Sequence, residues 1–199
     1  MGTRGLIGFK VDGKYSGYYN QYDSYPEGMG FDIVEFIKNR LLTKDNVDTM
    51  KRMVSNLEVV DSNDDPTLED LSFYAEFHDK HVSNGKDWYS LLRKLQGSKC
   101  LDAIFDCKLR HMFDDIEFIK DSLFCEYAYF LNFDNNTLDI YDGFQKQGQL
   151  LNPFGDTKDD NGYYPCRHVL SIPFGFILQC ETKFIVGLMR AAINKAQDS

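Results

Sequence analysis

No apolar run in this chain approaches the roughly 20 residues needed to span a bilayer, so no membrane partner is expected. The N-terminus lacks a charged stretch followed by an apolar one, so no secretory leader is expected. Position 6 is Leu, where N-myristoylation asks for Ser or Thr. Basic residues are in deficit, 22 Lys and Arg against 31 Asp and Glu, for a net charge of −9. Non-specific binding to nucleic acid draws on cation contacts with phosphates, so a nucleic-acid partner is disfavoured. The acidity keeps the protein soluble. There are five cysteines, Cys100, Cys107, Cys125, Cys166 and Cys180. Their odd number and unpaired spacing argue against a disulfide framework and against zinc motifs. Reduced thiols in the cytoplasm are the expectation. No G-x-S-x-G elbow, kinase signature set, Gly-rich phosphate loop, H-E-x-x-H motif, repeat or heptad pattern is present. No cofactor and no metal are expected, and nothing in the sequence sets an oligomeric state.

What is present supports one domain over residues 1–199. Apolar residues make up 43% and aromatics 15% of the chain, enough to bury about 70% of the unfolded surface and to exclude disorder. Most of the information lies in the first 30 residues. Two strand-like runs, Leu6–Val11 and Tyr15–Tyr22, flank Asp12-Gly13, a strong hairpin signal. The polar-aromatic run Tyr19-Asn20-Gln21-Tyr22-Asp23-Ser24-Tyr25-Pro26 then leads, through Gly28 and Gly30, into a helix.

That helix carries an apolar stripe of Phe31, Val34, Phe36, Ile37, Leu41 and Leu42. Asp45 is expected to cap a second helix running to Leu57. Thr67 with Asp70 resembles a capping box opening a helix from Leu68 to about His78. Asn84-Gly85 reads as a turn. Asp87 can cap Trp88–Gln96, which ends at Gly97, and Leu101–Phe105 is helical. Phe124–Phe133 and Thr137–Tyr141 form a second hairpin. Residues 145–162 are loop-like, Cys166–Ile172 is a strand, and Phe184–Ala192 is a helix. Strands separated by a helical block, about residues 30–115, imply an α+β fold. Its antiparallel sheet is built from the N-terminal hairpin and the C-terminal strands.

A hairpin beginning at Thr3 gathers Thr3, Arg4, Asn20, Asp23 and Ser24 at one edge of the sheet. Cys125 and Glu126 are candidate walls if their strand pairs beside the hairpin. Arg4 offers a planar fork to phosphate or carboxylate; the competing reading is a structural pair with Asp23 that holds the turn. In an enzyme, Asp23 is the base or orienter, and Thr3 or Ser24 bonds the reacting oxygen. The same Asp, Ser, Pro and Gly residues also account for ordinary turn chemistry. Thr3 as an N-terminal nucleophile has a defect, since removing Met1 exposes Gly2. Cys166 and His168 share a strand face and can form a nucleophile pair; a buried thiol beside a surface histidine is the competing reading. His78 and His81 lack the further ligands that zinc requires.

The segments Met1–Gly5, Tyr19–Gly30, Trp88–Gly97 and Asp121–Tyr129 resemble a family of uncharacterised bacterial, phage and fungal proteins. Its members open with M-x-T-R and carry Y-N-H-x-D-S-Y-P or Y-C-H-W-D-G-Y-P. Gln21 stands here where many members have His. A weaker similarity is to Ntn-hydrolase-like proteins, which also start directly in a hairpin strand. Archaeal inosine-monophosphate cyclohydrolase is similar in having an early Gly-Arg and a polar S-x-S-F-P-like run, at places loosely matched by Thr3-Arg4 and Asp23–Pro26. The expectation is binding or turnover of a small polar ligand, nucleotide or amide, by hydrolysis if an enzyme. The alternative is a non-catalytic interaction protein that binds a host protein, in which case the cytoplasm is the host's.

Overall fold

The computed structural model describes residues 2–79 and 86–197. The Asn84-Gly85 turn and His81 lie outside them. The hairpin is β1 (Gly5–Val11) and β2 (Lys14–Asn20), with Gly5 opposite Asn20 and Val11 opposite Lys14. Asp12 at φ 51° and Gly13 at φ 79° form its turn, the left-handed pair that matches strand twist. The helical block follows as α1 (Phe31–Arg40), α2 (Lys44–Ser55), α3 (Leu68–Phe73), α4 (Trp88–Leu92) and α5 (Lys99–Phe105). A short parallel pair, β3 (Glu58–Val59) and β4 (His111–Met112), lies within this half. The second half contributes β5 (Tyr127–Asn132), β6 (Thr137–Asp142), β7 (Arg167–Pro173), α6 (Phe174–Gln179) and α7 (Thr182–Gln197).

The fold is α+β, with a five-stranded sheet in the order β2-β1-β5-β6-β7. The expected antiparallel sheet is instead mixed, because β1 pairs with β5 in parallel, Gly5 against Tyr127 through Lys10 against Asn132. The long helical excursion returns the chain to the same end of the sheet it left, and that is what a parallel neighbour requires. The N-terminal strand is therefore interior, and β2 is an edge. That edge is covered rather than bare: Gly17 N–H donates to Asp114 and Tyr19 N–H to Asp115, each at 3.0 Å, which blunts edge-to-edge pairing.

Alternation in β1 and β5 sends side chains to two different cores. Ile7, Phe9, Tyr129 and Leu131 pack under the helices with Ile33, Ile37 and Leu101, while Leu6, Ala128 and Phe130 join Ile119, Tyr141 and Phe154 on the other face. The α-helices thus cover one face, and loops with a short 3-10 turn over Ile116–Lys120 cover the other.

Several local readings shift by a turn. Thr43, not Asp45, caps α2, accepting from Asn46 N–H at 3.2 Å. The Thr67–Asp70 capping box forms, but α3 stops at Phe73 rather than near His78, because Tyr74 is recruited into the core. Its hydroxyl accepts from Arg110 N–H at 2.9 Å and His111 N–H at 3.1 Å and lies 3.1 Å from His111 Nδ1. Tyr74→Phe strands two partly buried amides. The expected cost is about 2 kcal/mol, or roughly 4–8 °C in Tm for a chain of this size. A thermal melt moving by less than about 1 °C would show that these amides find other partners.

Candidate functional site

A cleft of about 590 Å³ opens at the end of the hairpin remote from the Asp12-Gly13 turn, between residues 19–32 and residues 89–99. Its rings are Tyr22, Tyr25 and Tyr89, its cations Arg93 and Lys99, its carboxylates Asp23 and Asp32.

The floor is built by the chain leaving β2. Asn20 Nδ2 donates to Ser24 Oγ at 2.8 Å and to the Tyr22 carbonyl. Ser24 N–H donates to the Thr3 carbonyl at 3.2 Å. The buried Tyr129 hydroxyl donates to the Ser24 carbonyl at 2.9 Å, and burial holds that phenol well above its ordinary pKa. Ser24 is 0% exposed. Every polar atom of this residue is thereby engaged, and it braces the cleft from below.

The opposite wall comes from α4 and the turn after it. Asp87 caps α4 through Ser90 N–H at 2.7 Å. One helical turn on, Arg93 Nη1 donates to the Tyr89 hydroxyl at 3.2 Å, with the guanidinium 5.6 Å above the Tyr89 ring and 3.9 Å from Asp79. The ring thus fixes a flexible cation at the cleft mouth. Asp32 accepts from the Ser98 hydroxyl at 2.8 Å. Lys99 and the carboxylate of Asp23 engage no partner among the described residues and are exposed to the cleft.

The residues expected to act together fall into three groups. Asn20 and Asp23 line the cleft, and Ser24 lies beneath it. Thr3 contributes its carbonyl and is half-buried, with Gly2 ahead of it. Arg4 is on the other face. Its guanidinium sits 4.4 Å above the Phe124 ring and beside the Tyr19 hydroxyl. Burial raises the Tyr19 pKa, and Arg4 opposes that rise. No Arg4–Asp23 ion pair forms among the described residues. The reason is strand alternation: Arg4 follows Leu6 and Tyr19 to the loop-covered face, whereas Asn20 follows Tyr18 to the helical face. Glu126 Oε1 accepts from Arg4 N–H at 3.2 Å, so that carboxylate holds the entry to β1. Cys125 is not a wall of the cleft. It is fully buried in the loop-side core, where the Cys166 thiol donates to its carbonyl at 3.2 Å.

The Cys166–His168 pairing does not form either. Cys166 points into the core, and His168 Nε2 lies 2.8 Å from Ser171 Oγ. Among the described residues no cluster of His, Cys, Asp or Glu has the arrangement of a metal site. No described helix is long and apolar enough to cross a membrane. The five cysteines are free thiols.

Tyr89, Arg93 and Lys99 were not among the expected site residues. The signal for the first two was in the Trp88–Gly97 run, whose aromatic-then-cation spacing of four puts Tyr89 and Arg93 on one helical face. Nothing local indicated that this face turns toward the hairpin. No protein family, curated protein or solved structure matches this chain.

Proposed function

We propose that this chain binds a small polar ligand, of nucleotide or amide type, in the tyrosine-lined cleft at the end of the hairpin. The observation that supports this reading is the combination of exposed rings and unsatisfied charges over a floor whose own hydrogen bonds are closed. Aromatic walls with a few convergent polar groups are the general form of a small-molecule site. Ring faces suit a planar group, and Arg93 and Lys99 suit phosphate or carboxylate. If the ligand is also hydrolysed, Asp23 is the carboxylate free to take a proton, since Asp32 is bonded to Ser98.

The test is calorimetric titration with nucleoside monophosphates and with small primary amides. The Tyr89→Ala/Arg93→Ala variant is expected to lose at least about 10-fold in affinity, the value of one stacked, charge-assisted contact. Both side chains are exposed, so the variant should melt within about 2 °C of the parent. Unchanged affinity removes the cleft from consideration.

A second reading, a protein-binding module, is favoured by one feature. Leu150 and Leu151 are adjacent and 89% and 92% exposed, more apolar surface than a loop needs. It takes the place of the first if the titrations are silent and Leu150→Ser/Leu151→Ser abolishes concentration-dependent association in sedimentation.

A further inference from the structure

Asp23 is the unusual residue of the cleft. Its backbone lies at φ 56°, the left-handed region that costs a residue bearing a Cβ. The fold imposes this. On one side Ser24 N–H is tied to the Thr3 carbonyl at 3.2 Å; on the other, Met29 N–H donates to the Asp23 carbonyl at 2.8 Å. A Cβ at Gly28 would stand 2.3 Å from that same carbonyl oxygen, so the loop closes on Asp23 with no room to relax. Glycine would satisfy this backbone without strain. An aspartate is there instead, its carboxylate without a partner among the described residues and facing a cleft whose far wall carries Arg93 and Lys99.

We infer that Asp23 is the specificity-determining residue of the cleft, and that the ligand is bipolar. It presents an N–H donor to Asp23 while its anionic group rests against Arg93 and Lys99. This rests on the cleft being the ligand site. The physical reason is pairing. A carboxylate covered by a ligand loses its water and must receive hydrogen bonds in return, so a ligand with no donor at that point is rejected. A conformation held from both sides aims the acceptor before the ligand arrives, which is how strain at a site is put to use. Two chemical sources supply such a ligand: a nucleoside monophosphate with an exocyclic amine, and an amide-bearing amino acid.

The experiment is titration of the full chain with four probes: adenosine 5′-monophosphate, purine riboside 5′-monophosphate, L-glutamine and inorganic phosphate. The parent is compared with Asp23→Asn and Asp23→Gly. Adenosine 5′-monophosphate is expected to bind at least about 10-fold more tightly than its counterpart lacking the amine, or L-glutamine to bind where phosphate alone does not. Asp23→Gly should abolish that preference, and Asp23→Asn, which keeps an amide oxygen as acceptor but loses the charge, should reduce it. Asp23→Gly should melt at or above the parent temperature, because it relieves the left-handed strain, so lost binding there cannot be lost folding. Variants that keep parental affinity and preference overturn the inference and leave the cleft reading standing. No binding of any probe to the parent below about 1 mM removes both.

Discussion

Gly5→Ala is expected to lower stability by about 3 kcal/mol or more, a fall in Tm of roughly 6–12 °C. Gly5 opens the interior strand β1. A Cβ placed there would lie 2.2 Å from the Tyr127 carbonyl oxygen and 2.8 Å from Ser24 Cβ. Neither neighbour can yield cheaply. The Tyr127 carbonyl belongs to the backbone of β5, and Ser24 is pinned by Asn20, Thr3 and Tyr129. The side chain therefore forces β1 from β5 or lifts the floor of the cleft, and either loses ladder hydrogen bonds as well as packing. Gly175→Ala is the control. It sits in the first turn of α6 with nothing within 4 Å of the added carbon, so it should be neutral or stabilising by up to about 1 kcal/mol. Equal melting temperatures for Gly5→Ala and the parent would mean that β1 and β5 are not packed as closely as described.

Asp142→Asn is expected to stabilise the protein at pH 8 by about 2–3 kcal/mol, with the gain vanishing near pH 4. Asp142 ends β6, is 1% exposed, and accepts from Gln197 at 3.2 Å and Gln145 at 3.3 Å. Burial raises its pKa to about 6, although both glutamines and the charges of Arg167 and Arg190 pull it down. The sign follows from proton counting. Between the ordinary aspartate value and about 6, the folded chain holds a proton that the unfolded chain has released. Stability therefore falls as pH rises through that window and stays reduced above it. Asparagine keeps the shape and an acceptor for the glutamines while removing the buried charge. A difference between variant and parent that does not change with pH, or a less stable variant at pH 8, would show that Arg167 and Arg190 fully compensate the carboxylate.

The local elements were legible because short-range chemistry dictates them. Asp12-Gly13 sets a left-handed turn between two β-branched and aromatic runs. Thr67 with Asp70 closes a capping box, and Asp87 caps the helix that carries Tyr89. Legible too were the helical block between strands and the second hairpin. The extent of α3 was not, because a distant demand, the pairing of Tyr74 with the amides of residues 110 and 111, ended that helix early.

Short-range chemistry was enough to bring Asn20, Asp23 and Ser24 together at the end of a hairpin, because turn type and alternation fix register over a few residues. What faces them was set by packing between distant parts of the chain. The parallel pairing of β1 with β5 made the first strand interior. The helical block brought Tyr89, Arg93 and Lys99 across from Asp23, while the two-sided burial of the sheet sent Arg4 and Cys125 to the far face. Those outcomes depend on which apolar surfaces bury each other across about 100 residues of chain, a choice made by summed packing, which short-range sequence does not encode.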